Sequence, residues 1–353
     1  MRMQMPFDAS DTRVPFRLLP LATVALVLLL LGGMALSLFV GDVKIDAGTI
    51  GNALFHYDSA SVPHILIRDG RLPRAVADVL VGAALAVAGA IMQAITRNPL
   101  ASPGVMGLNT GASFAVILAL ALAPAANHAE LMLVSVGGAA MGVMLVYIVA
   151  SLSHGGLSPV RLALTGIAVS ALLGAVGNGV MIYFELGHDA LLWHARGTDG
   201  VQWLDLAVTA PLAAAGFVIA SILAPSLGVL SLGDQMARGL GQRTRRAKIL
   251  AGATVLILVG GAVSLAGPVG FIGLMVPHVV RHLVGHDYRL VMPGAALGGA
   301  LLMLAADLGA RVATTPMRTP VPVGVVTALL GVPFFLYLAC RRPAATHARG
   351  GRL

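Results

Sequence analysis

Residues 18–41 read LLPLATVALVLLLLGGMALSLFVG, a run of 24 residues without Asp, Glu, Lys or Arg. A helix needs about 20 mostly apolar residues to cross the hydrocarbon core of a bilayer, where no water satisfies a free backbone group. The apolar core of a cleaved signal peptide is shorter, about 7–15 residues. The run therefore predicts a retained first membrane-spanning helix.

Charge-free runs of similar length recur along the whole chain. They cover 18–41, 79–96, 98–129, 131–160, 162–184, 206–233, 249–280, 290–306 and 319–340. The run 249–280 is interrupted by Gly267-Pro-Val-Gly270, so it predicts one long helix and one short helix. Only 11% of the 353 residues are charged, against about a quarter in soluble domains, and this excludes a soluble globular protein. We predict an all-α polytopic membrane protein with about ten transmembrane helices, forming a single domain over residues 1–353.

The basic residues are unevenly divided between the two sides of such a protein. Ten spans place both termini on the same side of the membrane. With that side cytoplasmic, 16 of the 23 Lys and Arg residues lie inside and seven lie outside, in keeping with the positive-inside rule. We therefore predict that residues 1–17 and 341–353 are cytoplasmic tails. The net charge of +8 then reports orientation, and we expect no nucleic-acid partner.

The sequence lacks the motifs of the common catalytic and metal sites. Neither of its two lysines, Lys44 and Lys248, ends a glycine-rich phosphate-binding loop, and neither His-Glu-x-x-His nor Gly-x-Ser-x-Gly occurs. The single cysteine, Cys340, excludes a cysteine-based metal cluster. We predict no catalytic residues, no metal site and no cofactor, and we expect that the chain cannot by itself hydrolyse ATP in the usual way.

One function open to such a membrane protein is that of an ion-coupled secondary transporter, which works without an ATPase partner. Such transporters commonly bury carboxylates near the membrane midplane. Here only Asp78 and Asp307 approach the hydrocarbon, both near the outer ends of their helices, and Arg311 lies one turn after Asp307. A local ion pair is therefore favoured over a proton relay.

The predicted cytoplasmic loop 225–248 contains an apolar stripe. Three apolar side chains recur every four residues, namely Leu232, Met236 and Leu240. Gly233 and Gly241 would delimit a short helix carrying this stripe. An apolar stripe outside the membrane needs a surface to cover, and a docked partner protein is favoured over the membrane surface.

Three arginines lie at span ends on the outer side, which is otherwise acidic. They are Arg71, Arg74 and Arg311. Any one of them could simply extend its charged head to the interface. Together they predict a basic patch that captures an acidic partner.

Pairs of glycines four residues apart predict close helix packing, because they remove side-chain bulk from one helix face. The pairs are Gly107 with Gly111, Gly138 with Gly142, and Gly294 with Gly298.

Ordered motifs give the chain a family resemblance from about residue 20 to residue 342. In the first half they are Arg71-Leu-Pro-Arg74, Val81-Gly-Ala-Ala-Leu-Ala-Val-Ala-Gly89 and the stretch from Met92-Gln through Asn98-Pro-Leu-Ala-Ser-Pro-Gly104. In the second half they are Leu232-Gly-Asp-Gln-Met-Ala-Arg-Gly-Leu-Gly241, Ala266-Gly-Pro-Val-Gly-Phe-Ile-Gly-Leu-Met-Val-Pro-His278, Ala306-Asp-Leu-Gly-Ala-Arg311 and Pro322-Val-Gly-Val-Val-Thr-Ala-Leu-Leu-Gly331. These motifs resemble the FecCD family of ABC-importer permeases, which carry iron–siderophore complexes, haem or cobalamin inward.

The resemblance implies a cobalamin-importer-like permease fold and a set of partners. Two ATP-binding subunits would dock on the cytoplasmic side, a soluble substrate-binding protein on the outer side, and a second permease subunit, identical or not, would complete a dimer. The location would be the bacterial cytoplasmic (inner) membrane. A ferric siderophore is the favoured cargo, followed by haem and then cobalamin.

The resemblance also implies roles for particular residues. Arg71, Arg74 and Arg311 would dock the binding protein, and Asn98, Pro99 and Leu100 would form part of the cytoplasmic gate. The fifth span, 162–184, would line the translocation path. The coupling segment that seats on the ATPase would consist of Leu232, Gly233, Asp234, Met236, Ala237, Arg238, Leu240 and Gly241.

Two positions depart from the family pattern. Pro159 and Val160 stand near the second gate, where relatives often have small hydroxyl residues, so the residues of that gate are left open. Pro320-Val321 precede Pro322, where relatives often have an acidic residue, and this change alters the expected outer surface near Arg311.

Overall fold

The computed structural model describes residues 18–41, 43–152, 159–187, 197–317 and 321–340. Within these ranges the regular elements are helices. In chain order they are α1 (Leu19–Phe39), α2 (Ala47–Phe55), α3 (Val62–Ile65), α4 (Leu72–Thr96), α5 (Leu108–Leu122), α6 (His128–Ser151), α7 (Pro159–Tyr183), α8 (Trp203–Ser231), α9 (Asp234–Gly239), α10 (Thr244–Ala266), α11 (Ile272–Val284), α12 (Tyr288–Met317) and α13 (Val323–Cys340). A π-helical turn, Leu66–Arg71, joins α3 to α4, and a 3₁₀ turn, Pro103–Met106, precedes α5.

The predicted all-α membrane architecture is confirmed. Among the described residues, seven helices are long and apolar enough to cross a membrane: α1, the continuous stretch Val62–Thr96, α6, α7, α8, α10 and α12. Three shorter apolar helices, α5, α11 and α13, complete the ten predicted spans. The predicted break after Ala266 is also present, since α10 ends there and α11 begins at Ile272.

Two helices extend well beyond their charge-free runs. The run 79–96 lies inside α4, and the run 290–306 lies inside α12. The helices continue through Arg74, Asp78, Asp307 and Arg311 because these charges are paired inside the protein, which removes the cost of facing lipid unpaired. A rule that ends a span at the first charge is wrong at these two helices.

Helix α4 is the central element of the bundle, and α1 is peripheral. Of the 18 most apolar consecutive residues in the stretch that contains α4, 83% are buried inside the protein. The corresponding share for α1 is 11%. The residues of α4 pack against α8, α10, α11 and α12. Its many alanines and glycines allow this, because small side chains let four neighbours approach one helix.

Two helix crossings on α4 bring backbone against backbone. A β-carbon on Gly82 would lie 2.2 Å from the carbonyl oxygen of Gly299 in α12. A β-carbon on Gly89 would lie 1.8 Å from the carbonyl oxygen of Gly273 in α11. No side chain fits in these gaps, so glycine at both positions fixes the distance between the helices.

The glycine pairs of the sequence lie at helix contacts, as predicted. Gly111 of α5 faces Gly138 and Gly142 of α6, and a β-carbon on Gly111 would lie 2.3 Å from the Gly138 carbonyl oxygen. Gly294 and Gly298 of α12 instead accommodate valine side chains of α11.

Side-chain caps define two helix starts outside the long apolar runs. The Asp46 carboxylate accepts from the Thr49 backbone N–H at 2.9 Å and begins α2. Asn127 and Glu130 form a reciprocal capping box at the start of α6, which ends the preceding connection.

Candidate functional site

The candidate residues lie at opposite ends of the bundle. One end, here called the loop end, carries the segment 232–243 between α8 and α10 and the residues that follow α4. The other end, here called the arginine end, carries Arg71, Arg74 and Arg311. Helix α4 runs from one end to the other.

At the loop end, the predicted short helix is confirmed as α9. It begins after Gly233, whose φ is +113°, and is followed by Gly241, whose φ is +78°. Both angles are in a region that other residues rarely adopt, so the glycines set the two bends. Helix α8 continues to Ser231 and α10 begins at Thr244, so the connection between these two helices consists of residues 232–243.

Helix α9 presents the predicted apolar stripe to the outside. The exposed fractions are 66% for Leu232, 58% for Met236 and 63% for Leu240, whereas Ala237 is fully buried against the bundle. These three large side chains lie on a polar segment beyond the spans. Exposed apolar groups of this kind are typical of surfaces that contact another molecule.

Polar contacts hold α9 in place. The Lys248 ammonium donates to the Asp234 carboxylate at 2.6 Å, and this hydrogen bond lowers the pKa of Asp234 below its ordinary value. The Gln242 side chain donates to the Ser226 carbonyl at 3.0 Å. The segment is therefore tied back to both α8 and α10.

The predicted gate residues Asn98, Pro99 and Leu100 form a tight turn directly after α4. The Asn98 side chain accepts from the Leu100 backbone N–H at 2.9 Å, and Leu100 is 55% exposed. Arg97, which starts the turn, has a left-handed backbone with φ of +52°. Its guanidinium lies 3.3 Å from the position that a β-carbon on Gly233 would occupy. The turn and α9 are therefore neighbours at the loop end.

A further polar contact at the loop end was not predicted from the sequence. The buried Gln93 side chain of α4 donates to the Leu274 carbonyl at 3.2 Å and accepts from the Arg281 guanidinium. It ties α4 to α11 beside the predicted gate. Gln93 belongs to the motif from Met92 to Gly104, but nothing in the sequence pairs it with Arg281.

At the arginine end, two of the three predicted arginines bind backbone carbonyls of α1 and the residues after it. Arg71 is 6% exposed and donates to the Leu38 carbonyl at 2.6 Å, with further bonds to Phe39 and Val43. Arg311 donates to the carbonyls of Ser37 and Val40 at 3.1 and 3.3 Å. Two cations thus satisfy the last carbonyls of α1, where the helix dipole favours positive charge.

The third arginine, Arg74, connects a buried and an exposed carboxylate. Its Nη2 lies 2.7 Å from Asp307, which is fully buried, and its Nη1 lies 2.6 Å from Asp199, which is 67% exposed. Arg311 also donates to Asp307, at 2.7 Å, which confirms the predicted ion pair within one helix face. The fully buried Asp78 accepts from Thr198 at 2.6 Å.

The three arginines therefore do meet at one end, but each side chain has partners inside the protein. Those partners, Asp199 and the carbonyls of α1 among them, were not predicted from the sequence. The prediction that Arg71, Arg74 and Arg311 receive a binding protein stays a prediction.

The remaining candidate residues belong to the fifth span and the second gate. Helix α7 covers residues 162–183 of the predicted path-lining run and exposes large apolar side chains, among them Leu164, Leu172 and Ile182. Pro159 and Val160 begin α7, but their side chains and residues 153–158 lie outside the described part of the chain. Among the described residues, no three His, Cys, Asp or Glu side chains are placed to hold a metal ion.

Comparison with known proteins agrees with this architecture. The model of the FecCD transport family matches residues 28–341. A solved structure described as an inward-facing conformation of a metal-chelate type ABC transporter has a TM-score of 0.77 and 26% sequence identity, covering 91% of this chain and 99% of that chain.

Curated relatives are similar over most of their length. The iron(3+)-hydroxamate import system permease protein FhuB of Bacillus subtilis is 45% identical over 88% of this chain and 80% of the relative. The ferric enterobactin transport system permease protein FepD of Escherichia coli is 37% identical over 94% and 97%. The hemin transport system permease protein HmuU of Yersinia pestis is 40% identical over 77% and 82%. The chain therefore belongs to the FecCD transport family.

Proposed function

We propose that the chain is the permease subunit of a binding-protein-dependent ABC importer that carries an iron chelate inward. The observation that carries the proposal is the exposed apolar stripe of α9, on a chain that matches the family model over residues 28–341. The names of its relatives support a ferric siderophore as cargo before haem, and cobalamin ranks third.

Energy for transport would come from two ATP-binding subunits seated on the coupling segment, Leu232–Gly241. ATP binding would move α9, and the Arg97 side chain, which lies beside Gly233, would carry that movement to the turn at Asn98, Pro99 and Leu100. The gate would then open or close, because the ATP-binding subunits make different contacts with the two conformations of the permease. The permease itself performs no chemistry.

The partner on the other side would be a soluble substrate-binding protein at the arginine end. Arg74 supports this role most directly, since one of its partners is an exposed carboxylate. Arg71 and Arg311 would act in docking through α1, whose last carbonyls they hold. A second permease subunit, identical or similar, would complete the path along α7.

The proposed location is the bacterial inner membrane, with the loop end and both termini in the cytoplasm. The excess of basic residues on that side, 16 of 23, supports this orientation.

Reconstitution into liposomes tests the proposed function. With the ATP-binding subunits inside and the binding protein loaded with a ferric hydroxamate outside, we expect uptake only when both partners and ATP are present. An ion-coupled transporter would instead take up the chelate without these partners and stop when an ionophore dissipates the ion gradients. Uptake that is independent of ATP would contradict the proposal.

The coupling role of α9 is tested by the substitution Met236→Glu. A carboxylate placed in an apolar contact loses about 2 kcal/mol or more of binding free energy, which corresponds to more than tenfold in affinity. We expect the ATP-binding subunits to co-purify at least tenfold less and ATP-driven uptake to fall accordingly. The neighbouring substitution Gln235→Glu adds the same charge outside the stripe and should change both quantities less than twofold. Equal effects of the two variants would rule out the apolar contact.

A further inference from the structure

The segment between α7 and α8 is fastened to the arginine end at two points. Thr198 donates to Asp78 at 2.6 Å, and both residues are fully buried. One residue later, Asp199 pairs with Arg74 at 2.6 Å while remaining 67% exposed. Val201, which leads into α8, is 2% exposed. The segment thus has one buried and one solvent-facing attachment.

The two carboxylates on Arg74 occupy different edges of its guanidinium. Asp307 receives the Nε and Nη2 hydrogens from inside the protein, at 3.1 and 2.7 Å from its Oδ1. Nη1 points to the other side and donates to Asp199. The outward edge of Arg74 is therefore a site for one exposed carboxylate, and the chain fills it with its own.

The pair with Asp199 is the exchangeable one. An ion pair with an exposed partner contributes little to stability, whereas the buried pair with Asp307 cannot be broken without leaving an unpaired charge in the interior. A carboxylate of another protein can therefore replace Asp199 on Arg74 while the rest of the cluster stays intact.

We propose that Asp199 is a built-in competitor for an acidic side chain of the substrate-binding protein, and that its displacement from Arg74 frees the segment 197–202. This inference rests on the proposed docking of a binding protein at the arginine end. The freed segment pivots on the Thr198–Asp78 bond. Because this segment leads directly into α8, docking at Arg74 reaches the start of that helix.

Affinity of the binding protein for the permease tests the competition. The permease is placed in lipid nanodiscs, and the probe is the binding protein of the same importer loaded with a ferric hydroxamate. For Asp199→Asn we expect a Kd about two- to fivefold tighter than for the unaltered chain, since the competing charge is gone. In an Arg74→Gln background the same substitution should have no effect. The matched control is Glu185→Gln, which removes an exposed carboxylate at the other end of the same connection.

Loosening of the segment is measured without any partner. In a Cys340→Ser background, a cysteine introduced by Val201→Cys reports accessibility to a water-soluble maleimide. We expect labelling at least twofold faster when Asp199→Asn is added, and no acceleration when Glu185→Gln is added. An unchanged or weaker Kd for Asp199→Asn, or unchanged labelling, overturns the inference. Absence of any binding by the unaltered permease would instead count against the proposed function.

Discussion

Replacing Asp307 by alanine is expected to destabilise the protein by about 3–5 kcal/mol, the cost of leaving a buried charge without its partner. The carboxylate is fully buried and lies between Arg74 and Arg311, at 2.7 Å from a guanidinium nitrogen of each. With Asp78, these residues form a buried group of two guanidinium and two carboxyl groups. Removing the Asp307 carboxylate takes away the anion that Arg74 and Arg311 share, and lipid cannot replace it.

The midpoint of thermal unfolding in detergent measures this effect. The control is Asp199→Ala, which removes the other carboxylate partner of the same Arg74 but at an exposed site, and should cost less than about 1 kcal/mol. A double substitution, Arg74→Met with Asp307→Leu, removes one cation together with the carboxylate and should recover part of the lost stability. If Asp307→Ala unfolds no earlier than Asp199→Ala, the buried cluster does not stabilise the fold.

Replacing Gly89 by alanine is expected to be the most disruptive single-methyl change in the described helices. The new β-carbon would lie 1.8 Å from the Gly273 carbonyl oxygen and 2.5 Å from the Gly273 α-carbon. Both are backbone atoms, so the clash can be relieved only by moving α4 and α11 apart. Overpacking of this kind costs about 1–3 kcal/mol, and more where a backbone has to shift.

The matched control for that substitution is Gly261→Ala in α10. Gly261 is also a buried helical glycine, but a β-carbon added there would have no atom of another residue within 4 Å beyond its own helical surroundings. Alanine there should leave the unfolding temperature unchanged or raise it, because alanine has the higher helix propensity. Comparable losses in the two variants would show that the α4–α11 crossing is not set by the missing side chain.

The long apolar runs predicted most of the architecture because the membrane imposes one requirement on every span. A stretch such as 18–41 can only be a helix in hydrocarbon, and Gly267–Gly270 could be recognised as a break from composition alone. Helix α2 was missed, although Asp46 followed by Thr49 is a helix-start signal, since this helix is too short to form a membrane span.

The charged cluster was predicted only where its members are close in sequence. Asp307 and Arg311 are one turn apart, so their pairing follows from helix geometry. Arg74 and Asp307 are 233 residues apart, and Asp199 comes from a third segment. No periodicity in a single sequence encodes such contacts, which is why the arginines were predicted as an open patch and their internal partners were not.

The double arginine cap on α1 has a consequence for how the protein is made. Synthesis delivers α1 to the membrane first, together with Arg71, which already reaches the Leu38 carbonyl across 33 residues. The Arg311 cap of the same helix end, 274 residues away from Ser37, exists only after nearly the whole chain has left the ribosome. The end of α1, the first helix to be inserted, therefore gains its second arginine among the last contacts to form. A chain truncated before α12 would lack Arg311 for the end of α1 and Asp307 for Arg74.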